Sequence, residues 1–194
     1  MCIRDSFRSA RADLECLYGS GQIGSPFLFS REDPALLLLG RNDRGEQNDV
    51  PRNAEGIALI GDPRNDSHLI VSQLQVAMIK VHNRLVELAR DSGVAASDVF
   101  ETARRETVWH YQWVIVNDYL PRLVGAKLVG SILEEGPRFY RPDSAPLIPL
   151  EFADAAFRYG HSQVRDSFEL NSGSREPAGS RSGRETACVP GFRS

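Results

Sequence analysis

Cysteine is scarce in this chain, long apolar runs are missing, and neither sign of charge prevails. The three cysteines, Cys2, Cys16 and Cys188, are odd in number and widely scattered, which fits neither a disulfide framework nor a zinc site. The longest apolar run, Ala35–Leu39, is far too short to span a bilayer. A formal net charge of −3 gives no electrostatic reason to expect a nucleic acid or an anionic membrane as partner. Met1–Ser6 is not a secretory signal, because no apolar region follows Arg4. None of this assigns a compartment. What is present is globular: 194 residues, 41% of them hydrophobic, enough for one domain with a real core.

The chain is organised around Gly61–Arg90. Gly61, Asp62 and Pro63 are turn residues, and Asn65, Asp66 and Ser67 suit a helix start because their side chains accept from orphan N–H groups. Ile70, Leu74, Ala77, Met78, Val81, Leu85 and Leu88 then recur at steps of three and four, which predicts a long amphipathic helix with this stripe as its apolar side. Gly93 is placed to stop it. Asp98–Leu120 predicts a second helix, apolar nearly all round and therefore central, with Trp109 and Trp113 as core. Pro121 bends or ends that helix, and a short helix is expected around Ala126–Glu135. Glu151 to about Phe168 predicts a third long helix. Before these helices, Gln22–Arg52 is rich in Pro, Gly and charge and reads as a long loop wrapped on the core, with short strands at Pro26–Phe29 and Ala35–Leu39. Asn171–Ser194, rich in Ser, Gly, Arg and Pro, reads as a disordered tail.

Three groups of residues carry chemistry. His161 shares a helical face with Phe157 and Val164, and Gly160 beside it lets something flat approach the backbone. On residues alone, a packed core histidine is the plainer reading and an iron ligand the sharper one. Arg64 sits in a tight turn at the head of a core helix, where its guanidinium suits a polar ligand; capping the turn, or pairing with Asp62 or Asp66, is the plainer alternative. Ser9, Asp13 and Glu15 offer hard oxygen ligands close together, a spacing that suits a solvated acidic loop or, with help from backbone carbonyls, a calcium ion. His82 and His110 read as structural, satisfying buried polar groups between helices.

The sequence Gly61-Asp62-Pro63-Arg64-Asn65-Asp66, followed by a helix with His82-Asn83-Arg84-Leu85, resembles the animal-type haem peroxidases, and among them the bacterial members. The resemblance continues in Ala103-Arg104-Arg105, Trp109-His110-Tyr111-Gln112-Trp113, Asp118-Tyr119-Leu120-Pro121 and Phe157-Arg158-Tyr159-Gly160-His161, and covers roughly Phe7 to Phe168. It implies a mainly α fold: a partial haem-peroxidase helical core with long loops, spanning residues 7–170 with the tail at 171–194. It also implies a haem-dependent peroxidase that oxidises a small-molecule reductant with hydrogen peroxide. His161 falls on the proximal iron ligand, Arg64 on the distal catalytic arginine, and Arg158 on the propionate side. A calcium loop is implied with side-chain ligands at Ser9, Asp13 and Glu15 and a carbonyl at Arg11.

Two departures from the family pattern stand out. The distal histidine belongs upstream of the calcium loop, and none of His68, His82, His110 and His161 lies there, so the calcium shell and the peroxide site are incomplete and the chain reads as an internal fragment of a longer protein. Some members esterify their haem through a carboxylate at the position of Ser67; serine cannot, so haem b would be held by the iron ligand and packing. The rival readings are a fatty-acid dioxygenase of the same superfamily, with Tyr111, Tyr119 or Tyr159 near the haem, and a non-catalytic helical fragment that binds none.

Overall fold

The computed structural model describes residues 12–140, 148–163, 167–171 and 174–177, with side chains for 12–140, 148–160 and 162. The fold is mainly α. Two compact units divide it, residues Leu14–Thr107 with Arg165–Ser194, and Met1–Asp13 with Val108–Val164.

In the first unit two one-turn helices, α1 (Glu15–Tyr18) and α2 (Gly21–Gly24), lead into a 3-10 turn at Pro26–Leu28. The chain then wanders to a second 3-10 turn, Pro63–Asp66, before the long helix α3 (Leu69–Asp91). The strands expected in the loop are reduced to isolated antiparallel bridges, Phe29 with Leu37, Gly40 with Asp49 and Arg52 with Ala58. Side chains of α3 supply what the loop lacks. Asn83 Oδ1 accepts from Leu37 N and its Nδ2 donates to Leu37 O, both at 2.9 Å, so one amide stands in for a strand partner. Lys80 Nζ donates to Asn48 Oδ1 at 2.8 Å and His82 Nε2 to the Ala35 carbonyl at 2.9 Å.

Helix α3 ends as its sequence predicts: Gly93 takes φ +76, and Val94 N returns to Ala89 O at 3.0 Å. The buried face of α3, however, is Ser72, Gln75, Val76, Ile79, His82, Val86 and Ala89. The apolar stripe expected to face the core lies largely on the other side, with Ile70 and Leu74 more than half exposed. Val86, Ala89, Val99 and Ala103 form one buried cluster, joining α3 to the start of α4 (Val99–Val114). Val50, Ile60 and Val76 form another, beneath the loop. Tyr18, Phe29, His82 and Phe100 meet edge to face, with centroids 5.4–6.2 Å apart. The described residues after 165 add a two-stranded antiparallel hairpin, β1 (Ser167–Asn171) with β2 (Ser174–Pro177). The rest of the expected tail, residues 172–173 and 178–194, lies outside the described residues.

In the second unit α4 continues into a π-turn, Ile115–Tyr119, and then α5 (Leu120–Val124). Pro121 has no N–H to return to the preceding turn, and the widened π-turn accommodates it without breaking the helix. Gly125, at φ +92, separates α5 from α6 (Ala126–Glu135), which occupies the predicted span. Only the first half of α4 is buried, at Val99, Ala103 and Thr107. Trp109 and Trp113 are 55% and 63% exposed, so neither is core. The third long helix is also corrected. Residues 151–163 form a π-turn, Phe152–Ala156, then a 3-10 turn, Tyr159–Gln163, and the span ends in β1. A short segment with exposed apolar faces and little packing gains too little tertiary stabilisation to hold a regular helix. No helix among the described residues is long and apolar enough to cross a membrane.

Candidate active site

Arg64 stands on the 3-10 turn Pro63–Asp66. Asp62, extended at φ −135 and ψ 110, caps the turn: its Oδ1 accepts from Arg64 N at 3.0 Å, and Pro63 supplies the fixed φ of a first helical position. The same carboxylate takes the Arg64 side chain, with Nε 3.0 Å from Oδ1 and 3.1 Å from Oδ2, and Nη2 2.6 Å from Oδ2. Asp62 is buried, while the Arg64 side chain is 67% exposed. These hydrogen bonds, and then the carboxylate charge, raise the guanidinium's already high pKa, so it stays a fixed cation. Arg64 thus pairs with Asp62, the plainer of its expected roles, and keeps about two-thirds of its side chain exposed.

The turn is seated from several sides. A Cβ at Gly61 would lie 2.6 Å from the Cys16 carbonyl oxygen, so only glycine lets the backbones approach this closely. Asn65 Nδ2 donates to Gln75 Oε1 at 2.9 Å, and the buried Gln75 donates from Nε2 to Cys16 O at 3.4 Å. Ser67 Oγ donates to the Arg64 carbonyl at 2.7 Å, closing the turn. Asp66 is taken by Arg52 in a two-pronged ion pair, Nη1 to Oδ2 and Nη2 to Oδ1, each 2.8 Å. Sequence reasoning missed both Arg52 and Gln75. A polar residue in a loop, and another on a helix, carry no periodic signal; only the partners reveal them.

On the other unit, His161 lies by its backbone in the turn Tyr159–Gln163; its side chain is outside the described residues. On the same segment Phe152, Phe157 and Tyr159 are 48%, 68% and 53% exposed. A Cβ placed on Gly160 would meet nothing within 4 Å. Open apolar surface beside a side-chain-free backbone position fits a flat macrocycle. Arg158 is exposed on the same segment. Arg64 belongs to the unit of Leu14–Thr107, and Arg158 and His161 to that of Val108–Val164.

Of the expected calcium ligands, Ser9 and Arg11 lie outside the described residues. Asp13 and Glu15 are half-buried and flank Leu14, which has φ +57 and is itself buried. A left-handed backbone at a buried leucine is strained and persists only where its surroundings fix it. Among the described residues no group of three or more His, Cys, Asp or Glu side chains is arranged to hold a metal ion. His82 is wholly buried, bonded to Tyr18 and Ala35, and so structural as expected.

The sequence profile of the family described as animal haem peroxidase matches residues 10–187. The chain is similar to Heme peroxidase 2 of Caenorhabditis elegans, at 30% identity over 183 residues, which are 86% of this chain and 25% of that protein. It is similar to Peroxidase of Drosophila melanogaster, at 27% identity over 187 residues, 87% of this chain and 27% of that one. Thyroid peroxidase of Sus scrofa is 31% identical over 109 residues, 55% of this chain and 12% of that protein. The chain thus spans about a quarter or less of the length of these curated relatives.

Proposed function

Because this chain belongs to the animal haem peroxidase family, we propose that it supplies part of a haem-dependent peroxidase, an oxidoreductase that oxidises a small-molecule donor with hydrogen peroxide. The observation that carries the reading is Arg64: a guanidinium locked at its base by a buried carboxylate, yet exposed over two-thirds of its side chain. Haem, when bound, supplies a redox-active iron able to reduce peroxide. In this reading the His161 imidazole would hold the iron, and Phe157 and Gly160 would supply apolar surface and open space for the macrocycle. Arg158 is the partner for a propionate. Ser67 cannot esterify the group and instead holds the Arg64 carbonyl, so the haem is b-type and non-ester-linked.

Arg64 acts electrostatically. Asp62 takes Nε and one N–H of Nη2, while no described residue engages Nη1. Those donors are aimed outward by a fixed turn, and a preorganised cation stabilises negative charge growing on the departing peroxide oxygen without reorganising. A guanidinium this firmly charged has no proton to move, so proton transfer needs a different group. Ser9, Asp13 and Glu15, with the Arg11 carbonyl, are the calcium ligands of this reading, and the strained Leu14 between two of them supports it.

The test is peroxide-dependent oxidation of a dye by the haem-loaded protein. Arg64→Ala is expected to lower the rate with peroxide by about 100-fold or more, the usual loss of a preorganised charge or donor, with Arg64→Lys between the two. An Arg64→Ala rate equal to wild type overturns the assignment.

A further inference from the structure

The Arg64–Asp62 pair cannot by itself explain why Arg64 is well aimed. The pair fixes the guanidinium relative to Asp62 alone, and Asp62 caps the same turn that carries Arg64, so the pair moves wherever that turn moves. The turn beneath it is a single 3-10 turn, Pro63–Asp66, which is too short to be stable alone. Its start is fixed by the Asp62 cap. Its end is Asp66, whose side chain is only 9% exposed and must be paired to be buried.

We propose that Arg52 is the positioning residue for Arg64, gripping Asp66 with a planar fork and so fixing the turn that aims the Arg64 guanidinium. All five Arg52 N–H donors are accounted for. Nε donates to Asp49 Oδ2 at 2.9 Å, Nη1 to Gly56 O at 3.1 Å and Asp66 Oδ2 at 2.8 Å, and Nη2 to Asp49 Oδ1 at 3.2 Å and Asp66 Oδ1 at 2.8 Å. Two carboxylates and a carbonyl surround one guanidinium, and each carboxylate is met two-pronged. Arg52 is itself tied down, since its backbone bridges Ala58 and that of Asp49 bridges Gly40. The clamp therefore connects the otherwise irregular loop to the end of the turn, two residues beyond Arg64. Lysine cannot replace it: an ammonium is a point charge without the planar geometry that spans both carboxylates. The functional part of this inference rests on the reading of Arg64 given above.

The experiment uses the haem-free chain with 15N-labelled arginine. The Arg64 Nε–H signal is assigned by its loss in Arg64→Lys, and its exchange with water is measured. Arg52→Gln strands two carboxylates, Asp49 and Asp66, so it is accompanied by Arg52→Gln/Asp66→Asn, which leaves no carboxylate stranded at the turn, only Asp49 in the loop, and carries the test if the single variant unfolds. In the folded variants Arg64 Nε–H exchange is expected to rise about tenfold or more, the effect of losing a charge-assisted anchor, while the Leu37 amide, which Asn83 holds, exchanges as in wild type. Arg52→Lys is expected not to restore protection. Unchanged Arg64 exchange in the double variant, full protection in Arg52→Lys, or an equal rise at Leu37 would each overturn the clamp. In haem-loaded protein, Arg52→Gln/Asp66→Asn is expected to slow the reaction with peroxide about 10- to 100-fold, as a misplaced group does, with the KM for the donor unchanged. If Arg64→Ala leaves that rate intact, the peroxidase reading fails, and the exchange measurement still decides the clamp.

Discussion

Tyr18 Oη and His82 Nδ1 lie 3.0 Å apart in the buried centre of the first unit. The direction of that hydrogen bond is fixed by the other side of the ring. His82 Nε2 faces the Ala35 carbonyl at 2.9 Å, and a carbonyl only accepts, so Nε2 carries the hydrogen. In a neutral imidazole Nδ1 is then the acceptor and Tyr18 the donor. Burial enforces both states: it pushes the His82 imidazole below 6.5 and the Tyr18 phenol well above 10.0.

Stability should therefore fall in mild acid. The unfolded ring titrates near 6.5 and the folded ring lower, so the unfolded chain binds more protons as pH drops through 6.5. The stabilisation due to neutral His82 is complete above that pH and is lost progressively below it, at no more than about 1.4 kcal/mol per pH unit. Urea unfolding at pH 8, 6.5 and 5 measures this. His82→Gln, which keeps a donor and an acceptor, should flatten the acid limb; an acid limb identical to wild type contradicts the neutral ring.

Asn83 does for the loop what a strand would do. Asn83→Ala removes both hydrogen bonds to Leu37 and leaves the backbone groups of a buried residue to find other partners. The expected loss is about 1–3 kcal/mol, the penalty for unsatisfied buried polar groups. Hydrogen exchange at the Leu37 amide should speed up before the helix amides do. Equal protection in mutant and wild type would show that the amide is not the loop's anchor.

Gly61 lies under the Arg64 turn with no room for a side chain. Gly61→Ala places a methyl 2.6 Å from a backbone oxygen, which cannot swing aside, so the turn must shift away from α1. A destabilisation of about 1–3 kcal/mol is expected from such overpacking, together with faster exchange at Arg64 Nε. A denaturation midpoint unchanged from wild type would mean that the close approach is relaxed in solution.

How much of this was legible in the sequence depended on whether packing or local chemistry decided. The turn at Gly61–Pro63, the stop at Gly93 and the span of α6 rest on local backbone preferences and were readable. The helix start was not, since α3 begins after His68 with no side-chain cap while Asp62 caps the preceding 3-10 turn. The existence of α3 was also readable, because its period is strong. Its buried face was not: α3 carries apolar residues on both sides, and Gln75 and His82 are drawn inward by the backbone groups of Cys16 and Ala35 and by the side chains of Asn65 and Tyr18. A rule that polar residues face water assigns that helix the wrong way round. The same rule made Trp109 and Trp113 core, although more than half of each side chain is exposed. The site divides in the same way: Arg64 was marked by its turn, whereas Arg52 became visible only through Asp49, Gly56 and Asp66.

The central claim is that His161 holds haem iron. Titrating haem into the chain, and following the Soret band in wild type, in His161→Gly, and in His161→Gly with added imidazole, tests it directly. The account predicts a shifted Soret band in wild type, no such shift in the glycine variant, and its return when free imidazole fills the vacated place. The same band in all three samples would contradict it.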